Sequence, residues 1–177
     1  VGFGLVAVSL LCFRTLPQGF FPDMDYDQLY IEYKLPEGTN STQVGEDLHA
    51  IENYLLGRSE ITHVTTSIGG TPSRYNLVRS IADPSLAYGE LIVDYTSPEA
   101  LTASFDEIQT YLNANYPDAY VRLKRYNLMY KKFPIEVEFS GPDPAVLRDL
   151  TAQAAAIMEE SPSLQMVTSD WEPKVPV

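Results

Sequence analysis

The chain has 177 residues, 45% of them hydrophobic, and a formal net charge of −12. That length holds one ordinary domain, or one domain and part of another, and that hydrophobic share excludes a disordered chain. An acidic surface of this strength repels phosphate backbones, which excludes nucleic acid as a partner and disfavours docking on an anionic leaflet. The single cysteine, Cys12, excludes a disulfide within the chain.

The first element is a charge-free apolar run from Val1 to Phe13, followed by Arg14. It is shorter than the roughly 20 residues that cross a bilayer, and it has neither the basic leader nor the start of a signal peptide. It reads as the last part of a transmembrane helix, with a buried helix of a soluble domain as the alternative. A strand follows over Gln28 to Leu35, where Leu29, Ile31, Tyr33 and Leu35 alternate with Tyr30, Glu32 and Lys34. Pro36, Glu37 and Gly38 turn the chain. Asn40 or Ser41 then caps a helix to Leu56 whose stripe is Val44, Leu48, Ile51 and Leu55, with Gly57 as its stop. A second strand runs from Thr62 to Ile68 with Val64, Thr66 and Ile68 inward.

The same order recurs. Gly89 to Tyr95 is a strand with Leu91, Val93 and Tyr95 inward. Ser97 caps the next helix and Pro98 opens it, and Leu101, Phe105, Ile108 and Leu112 form its stripe. Ala119 to Arg125 is the fourth strand. Both helices are apolar on one stripe only, so each covers a sheet. The predicted architecture is α+β: a β-α-β-β-α-β, ferredoxin-like unit with four antiparallel strands and both helices on one face. A third unit begins after Met129, with a strand through Ile135, Val137 and Phe139. A helix follows, capped by Asp143 and opened by Pro144 with stripe Leu147, Leu150, Ala154 and Ile157, and then a strand over Leu164 to Thr168. Two strands and one helix do not close a core, so this unit reads as half of a second such fold.

Motifs for chemistry are absent. Asp23, Asp25 and Asp27 start with calcium-loop spacing, but the positions that need Gly and Glu hold Gln28 and Lys34. His49 and His63 have no zinc-like partners, no G-x-S-x-G or phosphate loop occurs, and the four methionines are scattered. Two features remain. The strand face away from the helices carries Tyr30, Glu32, Lys34, His63, Thr65, Ser67, Glu90, Ile92, Asp94, Tyr120, Arg122 and Lys124. Its charges predict a wet face, either ordinary solvent-facing sheet or one wall of a water-filled cleft. The segment Gly69 to Leu86 exceeds the roughly 12 residues above which loops are uncommon, and it carries Gly69, Gly70, Arg74, Tyr75 and Arg79. It is either a plain connection or a functional loop.

The stretch after the apolar run, F-x-P-x-x-D followed by a strand and L-P-x-G, rests on Phe20, Pro22, Asp25, Leu35, Pro36 and Gly38. It resembles the point where resistance-nodulation-division (RND) efflux transporters of the AcrB type leave the inner membrane and enter the periplasmic porter domain. The Leu16-Pro17-Gln18-Gly19 lead-in and the Pro134 to Gly141 stretch look more like the second repeat of that family than the first. The resemblance implies that 1–19 is the end of a transmembrane helix with its lead-in, 20–128 a complete porter subdomain, and 129–177 the first half of a second. It implies a fragment of a proton-driven bacterial inner-membrane antiporter of the multidrug-resistance type, with this region in the periplasm and no enzymatic step, cofactor or metal in it. The implied partners are other porter subdomains of the same protein, a homotrimer, a periplasmic adaptor protein, an outer-membrane channel, and the membrane through the N-terminal helix.

By the same resemblance, Gly69, Gly70, Arg74, Tyr75 and Arg79 would lie on a loop in the substrate path. Tyr30, Glu32, Lys34, Thr65, Glu90, Asp94, Tyr120 and Arg122 would line the substrate-entrance cleft. The Phe-Gly-rich composition of drug-pump switch loops is missing, which leaves the loop's role and the cargo open. The alternatives are a free-standing ferredoxin-like ligand-binding module and, less well supported for want of an anion loop beside the first strand, an acylphosphatase-type enzyme.

Overall fold

A computed structural model describes residues 2–15, 24–72, 81–127, 133, 135–161, 163–164 and 166–171. Helix α1 (Gly2–Thr15) precedes β1 (Gln28–Lys34), α2 (Ser41–Leu56), β2 (Ile61–Ile68), β3 (Tyr88–Tyr95), α3 (Pro98–Asn115) and β4 (Tyr120–Arg125), and α4 (Pro144–Glu159) follows. The four strands form one sheet in the order β2-β3-β1-β4, and every pairing is antiparallel. The non-sequential order follows from two crossings, in which each helix carries the chain over one face before the next strand is laid down.

Local chemistry sets the helix ends. The Asn40 side chain accepts from the Thr42 amide (3.0 Å) at the start of α2. Ser97 does the same for Ala100 (3.2 Å) at α3, with Pro98 in the first turn, and Asp143 for Ala145 (2.8 Å) at α4. The stripe Val44, Leu48, Ile51 and Leu55 is fully buried, as its spacing predicts. On α3 the buried set is Leu101, Ser104, Ile108 and Leu112. Phe105 packs at the edge of the core beneath the Arg125 guanidinium, 5.2 Å from its ring centre. These side chains meet Leu29, Ile31 and Tyr33 of β1, Leu91, Val93 and Tyr95 of β3, and Val121 and Leu123 of β4 in one cluster, so both helices cover the same face. Each buried Leu or Ile contributes about 2 kcal/mol by area removed from water. Helix α2 sits so close to β3 that a methyl at Gly89 would collide with Leu48 and press on Val44, which explains a glycine inside that strand.

Strand β2 departs from simple alternation. Ile61 pairs with Tyr95 and His63 with Asp94, so Thr62 is an extra residue, and its hydroxyl donates to Asp94 O (3.1 Å). The bulge turns both Ile61 and Val64 towards the core. Ile68, expected inward, is half exposed, because the strand ends there at the rim of the sheet.

Outside the sheet domain the expectations are met only in part. Helix α1 forms over the apolar run, but its 14 residues reach only about 21 Å. Among the described residues no helix is long and apolar enough to cross a membrane. The strands expected at Ile135 to Phe139 and Leu164 to Thr168 are not formed by the described residues there, and Ile135, Val137 and Phe139 are exposed. An isolated strand has no ladder to satisfy its backbone, so the alternating pattern alone does not make one. Helix α4 buries no residue, and Leu150 and Ile157 of its expected apolar stripe are exposed.

Past the C-terminal end of α2, Arg58 clamps the two helices together. Its guanidinium donates to Glu60 (2.6 Å), to both carboxylate oxygens of Glu107 (2.8 and 3.0 Å) and to Tyr54 Oη (3.2 Å), and the Tyr54 and Tyr111 rings stack at 3.7 Å. Hydrogen bonding from Arg58 holds the Glu60 and Glu107 carboxyls below their ordinary range. Carboxyls depressed in the folded state stabilise it fully above the unfolded range and lose that contribution as pH falls through their folded values. We expect Arg58→Met to be less stable than wild type at pH 7, with the gap closing as pH drops below about 4.5, the ordinary glutamate value. Denaturant melts of both proteins across that range check it, and a gap that stays constant would show that Arg58 acts by packing alone.

Candidate functional site: a charged row on the second face of the sheet

Strand alternation places a ladder of polar side chains on the face opposite the helices. Successive cross-strand rows are Lys124–Tyr30–Ile92–Thr65 and Arg122–Glu32–Glu90–Ser67. The second row sets two glutamates directly opposite each other, an arrangement that costs stability unless positive charge or donors offset it. Both are supplied. Lys124 Nζ lies 3.1 Å from Glu32 Oε1, with the two side chains only 8% and 15% exposed. Arg122 stands beside Glu32 on the β4 side, with the Phe133 ring 5.8 Å from its guanidinium. Glu90, 1% exposed, accepts from Tyr88 Oη (2.9 Å) and from Thr71 Oγ1 (3.1 Å). Burial, reinforced by the charges of Glu90 and Glu32, pushes the Tyr88 hydroxyl far above its usual range, so it stays a donor.

The expected wet face is therefore sealed at its centre. Tyr30, Glu90, Ile92 and Lys124 are buried, Glu32, Lys34, Asp94, Tyr120 and Arg122 are half-buried, and only Thr65 and His63 at the β2 edge are exposed. Chain from outside the sheet supplies cover. Tyr126 packs on Tyr30 at 5.4 Å, and Tyr26 meets Tyr126 edge-on at 5.7 Å. Tyr126 Oη donates to Gln28 Oε1 (2.7 Å), and the Gln28 amide donates to Asp94. The Met24 amide donates to Tyr126 O (2.8 Å), so the segments entering β1 and leaving β4 lie side by side at this corner.

The long loop begins at the other end of the face. Gly69 sits at φ +84°, a conformation that favours glycine, whereas Gly70 does not use that freedom. The Gly69 amide donates to Tyr88 O (2.8 Å) and its carbonyl accepts from the Ser85 amide (3.2 Å), which closes the loop at its base. Ser67 Oγ donates to Gly70 O (2.8 Å), and Ser85 Oγ to the Glu37 carboxylate (3.2 Å), itself ion-paired with Lys34 at 3.0 Å. Arg74, Tyr75 and Arg79 lie outside the described residues. Of the predicted residues, the structure brings Tyr30, Glu32, Glu90 and Arg122 into one row system, places Lys34 and Gly69 at the loop end, and leaves Thr65 at the edge. Asp94 belongs to the opposite corner with Gln28. Tyr120 pairs with Lys34 across β4 and β1.

Sequence reasoning missed Thr71, Tyr88, Gln28 and Tyr126. Tyr88 was within reach, since alternation back from Glu90 puts it on the same face. Tyr126 was also within reach, since alternation on from Lys124 puts it on that face, whereas Thr71 lies in the loop, where no periodicity assigns a direction. Among the described residues no group of three or more His, Cys, Asp or Glu could hold a metal.

Residues 1–177 match the AcrB/AcrD/AcrF family, and the chain belongs to it. Comparison with curated proteins gives no significant match. Two solved structures of a heavy metal efflux pump share the fold. Crystal form II superposes with a TM-score of 0.64 at 17% identity, covering 97% of this chain and 19% of that one. Crystal form I gives 0.62 at 16% identity with the same coverage. The chain thus spans about a fifth of the length of the pump structures it matches. It is part of an RND-type efflux transporter by family.

Removing one partner from a largely buried ion pair leaves an uncompensated charge. Lys124→Met is expected to cost about 3 kcal/mol, and Glu32→Gln added to it to restore part of that loss. A double-mutant cycle by chemical denaturation checks it; additive losses would mean that the two charges do not stabilise each other.

Proposed function

We propose that the sheet domain is a complete ferredoxin-like porter subdomain of a proton-driven RND efflux transporter of the bacterial inner membrane, here residues 20–128. Residues 1–19 would be the end of a transmembrane helix with its lead-in, and 129–177 the opening half of the next subdomain. The observation that carries this reading is the family match over the whole chain, combined with a sheet of order β2-β3-β1-β4 covered by both helices on one face. The uncovered apolar side chains of α4 and of residues 135–139 support it, since a half-unit exposes the face that its other half would bury. The exposed Val6, Val8, Leu11 and Phe13 of α1 suit a lipid contact.

On this reading no chemistry is done here. Protons would be bound elsewhere in the transporter, and the porter subdomains would shift against one another, opening and closing clefts for cargo by alternating access. The second face of the sheet, from Tyr30, Glu32, Lys34 and Tyr120 across to Thr65, with Glu90, Asp94 and Arg122, would stand beside the substrate-entrance cleft. The loop from Gly69 with Gly70, Arg74, Tyr75 and Arg79 would reach into the substrate path. A homotrimer, a periplasmic adaptor protein and an outer-membrane channel complete the proposed assembly.

Shortening residues 73–80 in the full-length transporter, with abundance and membrane insertion matched to wild type, is expected to reduce export of at least one cargo about tenfold, equivalent to some 1.4 kcal/mol on a barrier. Unchanged export of every cargo tried would refute a substrate-path role for the loop.

A further inference from the structure

We propose that Thr71 and Glu90 are positioning residues that fix the base of the loop between β2 and β3 to the charged row of the sheet. The geometry is a relay through one hydroxyl. Thr71 has a single hydroxyl hydrogen, and it goes to Glu90 Oε2 at 3.1 Å. The lone pairs of the same oxygen accept the Ala82 amide from the opposite foot of the loop at 3.0 Å. Thr71 therefore joins three parts that sequence holds apart: the outgoing foot, the returning foot and the middle of β3. Other ties among the described residues at the base do something different, and Ser67 Oγ–Gly70 O ends on a backbone carbonyl. Gly69–Ser85 and Gly69–Tyr88 are backbone pairs that prolong the ladder, and Ser85–Glu37 is at the surface turn after β1. Only the Thr71 tie, among these, ends on a carboxylate that is almost completely withdrawn from water.

That acceptor makes the tie strong and directional. A hydrogen bond to a carboxylate is roughly twice as strong as one between neutral groups, and burial removes competing water. Glu90 is also held in place by Tyr88 on its own strand, and Glu32 directly opposite it is paired with Lys124 on β4. The loop base is thus referenced to a rigid charged ladder spanning three strands rather than to the rim. Resting on the reading that this loop lies in the substrate path, the consequence is that loss of the Thr71 hydroxyl misplaces the loop. Cargo recognition weakens while the turnover machinery stays intact.

The test compares Thr71→Val, which keeps the shape and removes the hydroxyl, with Thr71→Ser, which keeps the hydroxyl, in the full-length transporter. Hydrogen exchange at the Ala82 amide reads the tie directly, with the Leu91 amide at the centre of β3 as the control for folding. Ala82 exchange is expected to be about tenfold faster in Thr71→Val and near wild type in Thr71→Ser, with Leu91 unchanged in both. Equal Ala82 exchange in wild type and Thr71→Val, or equal acceleration in both variants, would overturn the proposal. Transport forms the second arm: KM for cargo is expected to rise severalfold in Thr71→Val with Vmax within about twofold, and to recover in Thr71→Ser. Faster Ala82 exchange with export kinetics unaltered would uphold the tie and defeat the substrate-path reading of the loop.

Discussion

Glu90 is a carboxylate with 1% of its surface exposed, facing a second glutamate across a strand pair. A bare charge in that position would cost several kcal/mol. Much of the second face of the sheet can be understood as the answer to that cost. Tyr88 and Thr71 donate to Glu90, Lys124 pairs with Glu32, and Arg122 stands on the next strand. Because one of those donors comes from the loop, satisfying the carboxylate also fixes where the loop begins. The helix-covered face makes the domain stable. The charged face ties the domain to the chain that runs over it.

The first face was legible in the sequence because its signals are local and periodic. Val44, Leu48, Ile51 and Leu55 recur at helical spacing, Leu29, Ile31 and Tyr33 at strand spacing, and Asn40, Ser97 and Asp143 are caps that need no tertiary information. The centre of the second face was misread as wet, because charge pattern says which groups need partners and not whether distant chain supplies them. Thr71 reaches Glu90 from the loop, and nothing in its spacing announces it. Alternation back from Val64 points to Thr62, but the bulge between Ile61 and His63 turns Ile61 inward instead. Ile135, Val137 and Phe139 show the opposite failure. Their alternation is real, but a strand is a property of a pair.

Membership of the AcrB/AcrD/AcrF family gives these observations a common setting. The shared fold with a heavy metal efflux pump at 16–17% identity shows how far side chains can diverge while the fold persists. What does not follow from the fold is the cargo. On the proposed reading the residues that would meet it lie on the second face and its loop, where identity is set by individual side chains and not by the pattern that builds the sheet.

The sealed centre of the second face is tested most directly by thiol labelling at two neighbouring positions of one cross-strand row, Ile92→Cys and Thr65→Cys, in a cysteine-free background with Cys12 replaced. Ile92 is 8% exposed and Thr65 is exposed at the edge. Labelling at position 92 is expected to be slower than at position 65 by about a hundredfold or more, as for a site reached only by local opening. Comparable rates at the two positions would contradict a covered charged row.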